Sequence, residues 1–158
     1  MMMDMTRPDA RRLQLDPVLV SAYVVTAAVT MFGVAIFIGG QHPYRWLGLA
    51  LLISFDAMVL APERIIGPIT RRWPHVYTAV SAAIVVALIM LPPASYWFVM
   101  LFFVISPTVM LAFPQQTGYA WIGVFSALTI AMFALADGGL LENLLQSGLY
   151  VAGFFFFA

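Results

Sequence analysis

The chain has 158 residues, 63% of them hydrophobic and 9% charged, with a mean hydropathy of +0.99. Soluble domains carry about 25% charged residues, so lipid rather than water is the natural solvent for this composition. A net charge of zero gives no field to attract nucleic acid, and the absence of cysteine excludes disulfides and thiolate metal sites.

Residues 1–17 read as a short cytoplasmic segment carrying Arg7, Arg11 and Arg12, with Met1, Met2, Met3 and Met5 leaving the initiator open. The apolar run Val18 to Ile38 is too long for a signal h-region and is not followed by a clear small-x-small cleavage site, so it reads as an uncleaved first span. It is opened by Asp16-Pro17 and closed by Gly39-Gly40. The second span covers about Tyr44 to Ala61, the third His75 to Leu91, the fourth Ser95 to Phe113 and the fifth Tyr119 to Leu135. The sixth runs from Leu140 to Ala158. Each run approaches the roughly 20 apolar residues a helix needs to cross a bilayer. Pro62, Pro92-Pro93, Pro114 and Asp137-Gly138-Gly139 fall between runs, where helices stop. The short alternating segments of a β-barrel are not visible. The expected fold is therefore all-α: a polytopic transmembrane bundle over residues 18–158 with six spans, in the plasma membrane. No room is left for a separate catalytic domain.

Trp46, Trp73, Trp97 and Trp121 lie at or near segment starts, accompanied by Tyr44, Tyr77, Tyr96 and Tyr119. This is where interfacial anchors belong; an aromatic ligand cage is the alternative reading. All seven basic side chains are arginine, and only Arg45 would face outward if both termini are cytoplasmic, as the positive-inside rule requires. The outer loops would then be short, at Gly39–Pro43, Pro92–Ala94 and Ala136–Gly139. The loop from Pro62 to Pro74, with Glu63, Arg64, Arg71 and Arg72, would touch anionic headgroups.

Small residues recur every four positions at Ala79, Ala83 and Ala87, at Gly123, Ala127 and Ala131, and at Gly148 and Ala152. This spacing suits close helix packing within the bundle, or a homodimer seam. No internal repeat supports an inverted-repeat transporter.

Catalytic motifs are absent: there is no H-E-x-x-H, no G-x-S-x-G and no phosphate-binding glycine loop. His42 and His75 sit at span boundaries without metal-ligand spacing, and no cofactor is implied. Asp56, inside the second span, is the sharpest single residue. An aspartate at mid-bilayer costs about 2.5–3.5 kcal/mol on insertion scales, so it needs a partner or water. A structural reading pairs it with Arg11, Arg12, Arg71 or Arg72, or with Ser54 or the backbone. A functional reading makes it a proton- or ligand-sensitive switch. On the sixth span Glu142, Asn143, Gln146, Ser147 and Tyr150 form a polar stripe opposite Leu141, Leu144, Leu145 and Leu149. It reads either as a partly solvated helix start or as a polar lining that binds a small ligand. Pro107, after Ser106, is a candidate hinge in the fourth span.

The run Trp97-Phe98-Val99-Met100-Leu101-Phe102-Phe103-Val104-Ile105-Ser106, on to Met110-Leu111-Ala112-Phe113-Pro114 and Gly118-Tyr119-Ala120-Trp121-Ile122, resembles the membrane-embedded N-terminal region of bacterial sensor histidine kinases. The likeness is to the DesK-like or NarL-partner class. The ending from Gly148 to Ala158 resembles the last span of such proteins. The resemblance lies in hydrophobic pattern, mainly over the second half of the chain. It implies an input module with almost no extracellular domain, whose last helix leads into a cytoplasmic stalk. The full-length parent would be a protein histidine kinase, able to form a homodimer and reaching a response regulator through a missing C-terminal part. This chain carries no H-box and no ATP-binding domain, and neither His42 nor His75 matches a phosphoacceptor. Its ending in phenylalanines without a basic stop reads as a sensor region cut before the kinase core. The expected function is the membrane input module of a two-component system; the alternatives are a small transporter or channel subunit, with Asp56 and the polar stripe along its path, or a structural membrane subunit.

Overall fold

The computed structural model describes residues 17–40, 42–61, 63–91, 96–134 and 140–157. Side chains are described from residue 23 onward, apart from those at 63–66, 96, 140–142, 144 and 156–157. The expected N-terminal segment, the outer loops at 92–94 and 136–139, and the side chain of Glu142 lie outside the described residues.

The described chain is all-helical, without a strand. Its helices are α1 (Pro17–Gly39), α2 (Arg45–Leu60), α3 (Glu63–Arg72), α4 (Pro74–Met90), α5 (Leu101–Ala112), α6 (Gln115–Ala134) and α7 (Leu140–Phe157). A 3₁₀ turn, Tyr96–Met100, leads into α5. The fourth expected span is thus built of two pieces. At about 1.5 Å per residue the twenty residues of α6 extend about 30 Å. This helix is long and apolar enough to cross a membrane; Tyr23–Gly39, Pro74–Met90 and Trp97–Ala112 are shorter apolar helices.

Proline sets several boundaries by one mechanism. The ring of a proline pushes the preceding residue out of the α region. Ala61 (φ −62°, ψ 140°) precedes Pro62, Leu91 (−75°, 130°) precedes Pro92, and Phe113 (−120°, 155°) precedes Pro114. Each is extended and ends its helix. Pro74 then occupies the first position of α4, where a missing N–H is harmless.

The segment between Pro62 and Pro74, expected as a loop, is the ten-residue helix α3. Its arginines 71 and 72 fall in the last turn, where the negative end of the helix dipole favours them. Pro68 is tolerated inside it.

The fold is centred on α5, which packs against α1, α4, α6 and α7. Leu101, Phe102, Val104, Ile105, Ser106 and Val109 of this helix are all buried. On one side α1, α2 and α4 pack together, and on the other α6 and α7 form a hairpin. Stacked and edge-on rings bind the layers: Phe37 on Phe98 at 5.9 Å, Phe102 on Phe125 at 5.0 Å, and Phe102 against Phe154 at 5.9 Å. Such ring contacts hold the layers together by dispersion.

The small-residue stripes do not mediate this packing. Ala79, Ala83, Gly123, Ala127, Ala131, Gly148 and Ala152 are all exposed, and Ala87 is half-buried. A Cβ built on Gly123 or Gly148 would meet nothing within 4 Å. Large side chains occupy the interior positions instead, and close approach occurs at other glycines, against Leu52 and Phe98 at Gly33 and against Met110 at Gly118. At Gly48 the ring of Phe37 lies over the backbone, and at Gly153 the ring of Phe103 does the same.

Candidate functional site

Asp56 faces α1. The Thr30 hydroxyl lies 2.9 Å from each of its carboxylate oxygens and donates into the fork between them. Both side chains are half-buried. Thr26, one turn earlier on α1, is buried and also has an interaction partner. Ser54, a sequence-based candidate partner, instead donates to the Ala50 carbonyl at 2.7 Å and is exposed. The position is set by local length: Asp56 is four residues, about 6 Å of rise, from the end of α2 at Leu60. Sequence reasoning missed Thr30. The available signal was a pair of threonines, 26 and 30, at one-turn spacing in an otherwise apolar helix.

Other hydroxyls close onto their own helices. Ser81 donates to Tyr77 O at 2.9 Å, Ser106 to Phe102 O at 2.7 Å and Ser126 to Ile122 O at 2.8 Å. Such bonds satisfy a buried hydroxyl within its own helix. The Thr129 hydroxyl, fully buried on α6, has no hydrogen-bond partner among the described residues. Tyr77 makes an interhelix bond, donating from α4 to the Met58 carbonyl at 3.2 Å. That carbonyl belongs to the last turn of α2, where helical partners run out.

The polar stripe of α7 is divided. Ser147 is buried, Asn143 and Tyr150 are half-buried, and Gln146 is exposed beside Leu145 and Leu149. Asn143, Ser147, Tyr150 and Phe154 follow steps of four, three and four residues, the inner face of this helix. Asn143 and Ser147 both have interaction partners. Tyr150 stacks on Phe133 of α6 at 5.6 Å.

Pro107 lies inside α5 and is half-buried. A proline removes the rung from its own nitrogen to the carbonyl four residues back. That rung is the one at Phe103, whose ring lies 4.8 Å from Phe154 and 6.1 Å from Tyr150, over Gly153. The weakened turn of the central helix is therefore the turn that touches α7.

The aromatic boundary residues fall into two groups. Trp46, Trp73 and Trp97 are exposed, as anchors would be. Trp121 is half-buried, because α6 begins at Gln115 rather than near Tyr119 and carries this ring inward. Its indole N–H donates to His75 Nδ1 at 3.3 Å, and Phe113 packs on the same imidazole at 4.5 Å. Arg45 lies 5.1 Å above the ring of Trp46, a cation–π contact.

An apolar groove of about 220 Å³ opens between α1 and the 3₁₀ turn, lined by Ala28, Val29, Phe32, Trp97 and Met100. Among the described residues no cluster of histidine and acidic side chains could hold a metal. Comparison with known protein families, with curated proteins and with solved structures finds no match for this chain.

Proposed function

We propose that the chain is the input module of a signalling protein, of the sensor histidine kinase kind that its sequence resembles. It crosses the plasma membrane six times, using α1, α2, α4, the 3₁₀ turn with α5, α6 and α7, with both ends cytoplasmic. A change in the surrounding lipid, or a small molecule entering among the helices, shifts the balance between two arrangements of α5. The last helix, α7, carries the change out of the membrane.

One observation carries this reading: the proline-weakened turn of the central helix places Phe103 against Gly153 and Phe154 of α7. A bend at Pro107 moves the ring, and the ring bears directly on the last helix. Among helix shifts used in signalling, translations of about 1–2 Å are sufficient.

The chain has no cysteine, so spin labels can be placed on introduced cysteines alone. Labels at the exposed positions Leu111 and Leu149 report the α5–α7 separation in bilayers of short and long lipids. The expected result is a separation that depends on bilayer thickness and loses that dependence in Pro107→Ala. A separation indifferent to both would overturn the reading. So would solute flux through liposomes that disappears in Asp56→Ala, which would make the chain a transporter or channel subunit.

A further inference from the structure

Helix α3 bridges the ends of α2 and α4, which pack on each other, and α3 itself packs on α4. The junction is tied: Trp73 N–H donates to Ile69 O at 2.8 Å, and Tyr77 N–H donates to Trp73 O at 3.0 Å. Ile69, Trp73 and Val76, four and three residues apart, are 50%, 58% and 54% exposed. They form an apolar row that no part of the described chain covers. Arg71 and Arg72 are exposed at the same place. Arg72 has no hydrogen-bond or ion-pair partner among the described residues. The contrast with Arg45 at the other end of α2 is informative, since that guanidinium lies over its neighbouring indole.

We infer that α3 and the start of α4 form a docking surface for an anionic phospholipid of the adjoining leaflet. The inference rests on the membrane-spanning reading above. The guanidinium of Arg72 offers planar, paired N–H donors that match a phosphate. Ile69 and Val76 enter the upper acyl region, and the Trp73 indole sits at the headgroup layer, where such rings prefer to lie. A ten-residue helix with basic residues in its last turn and an apolar row beside them complements a negatively charged interface in both charge and polarity.

The test uses the full chain in vesicles of phosphatidylcholine mixed with phosphatidylglycerol, with bromine on the upper acyl chain of one lipid at a time. Trp46→Phe, Trp97→Phe and Trp121→Phe leave Trp73 as the sole reporter. Brominated phosphatidylglycerol should quench Trp73 as if enriched roughly fivefold over its mole fraction, the factor expected for one basic side chain at an anionic surface. Arg72→Gln should remove most of this preference. So should about 1 M salt, where the screening length falls to about 3 Å. Equal quenching by the two lipids overturns the inference and leaves the spans untouched. If neither lipid quenches Trp73, nor Trp97 in its own single-tryptophan variant, the membrane reading itself fails. Should the triple substitution unfold the chain, an environment-sensitive label on Val76→Cys gives the same comparison.

Discussion

Two glycines on α7, five residues apart, should respond oppositely to the same substitution. In Gly153→Ala the new methyl would stand 2.6 Å from Phe103 Cζ and nearer still to Cε1. Carbon atoms rest at about 3.5–4.0 Å, so the nearest ring carbon must retreat by about 1.3–1.8 Å. Phe154 at 4.8 Å and Tyr150 at 6.1 Å hem it in along α7. Overpacking of this kind costs about 1–3 kcal/mol. Alanine returns about 0.5–1 kcal/mol through its better helix propensity, leaving a net loss of about 0–2.5 kcal/mol. In Gly148→Ala the methyl meets nothing within 4 Å, so only the propensity gain of about 0.5–1 kcal/mol remains. The two variants should differ by about 1–3 kcal/mol. For a chain of this size that is about 2–12 °C in melting temperature, readable by circular dichroism on the two proteins in one detergent. A Gly153→Ala protein that melts at or above Gly148→Ala would refute the packing described for α5 and α7.

Thr30→Val should destabilise by about 1.5–3 kcal/mol, the range for a hydrogen bond to a charged group, while Thr30→Ser keeps the donor and most of the stability; unfolding in mixed micelles distinguishes them. Thr129→Val removes a buried hydroxyl that has no partner and keeps its shape. It should stabilise by about 1–3 kcal/mol, the desolvation penalty of such a group, in the same unfolding measurement. Tyr77→Phe should cost about 0.5–1.5 kcal/mol and speed amide hydrogen exchange in the last turn of α2, whose Met58 carbonyl it leaves without this donor.

The helix boundaries were legible because proline acts locally. Ala61, Leu91 and Phe113 are extended for a reason contained in the next residue, so no tertiary information is required. Helix α3 was not legible, since its ten residues are too short and too polar to read as a span, and Pro68 argues for a break. The orientation of the small-residue stripes was likewise hidden. Four-residue spacing identifies one helix face but does not say whether that face meets another helix or lipid. In this chain the question is decided by the positions of Phe102, Phe125 and Phe154, whose stacking fixes the rotation of α5, α6 and α7 and turns Ala127 and Gly148 outward. The split of the polar stripe has the same origin: once Phe154 points inward, Ser147 and Asn143 follow it and Gln146 does not.

In the proposed reading α7 is the output helix, and the same rotation sets what it touches. Helix α5 packs on α1, α4, α6 and α7, whereas α7 packs chiefly on α6 and also on α5. Its grip on the centre runs through Tyr150, Gly153 and Phe154, and each meets the ring of Phe102 or Phe103. These two rings sit on adjacent residues just before Pro107, one turn from the missing rung. Asp56 and Thr30 belong to the opposite half of the bundle, on α2 and α1, which their hydrogen bond ties together. Helices α1 and α4 and the 3₁₀ turn all pack on α5, and α4 also meets α6 directly through the His75–Trp121 hydrogen bond. Pro107→Ala should leave the Asp56–Thr30 bond intact, because both of its residues lie on α1 and α2, away from the α5 turn that meets α7.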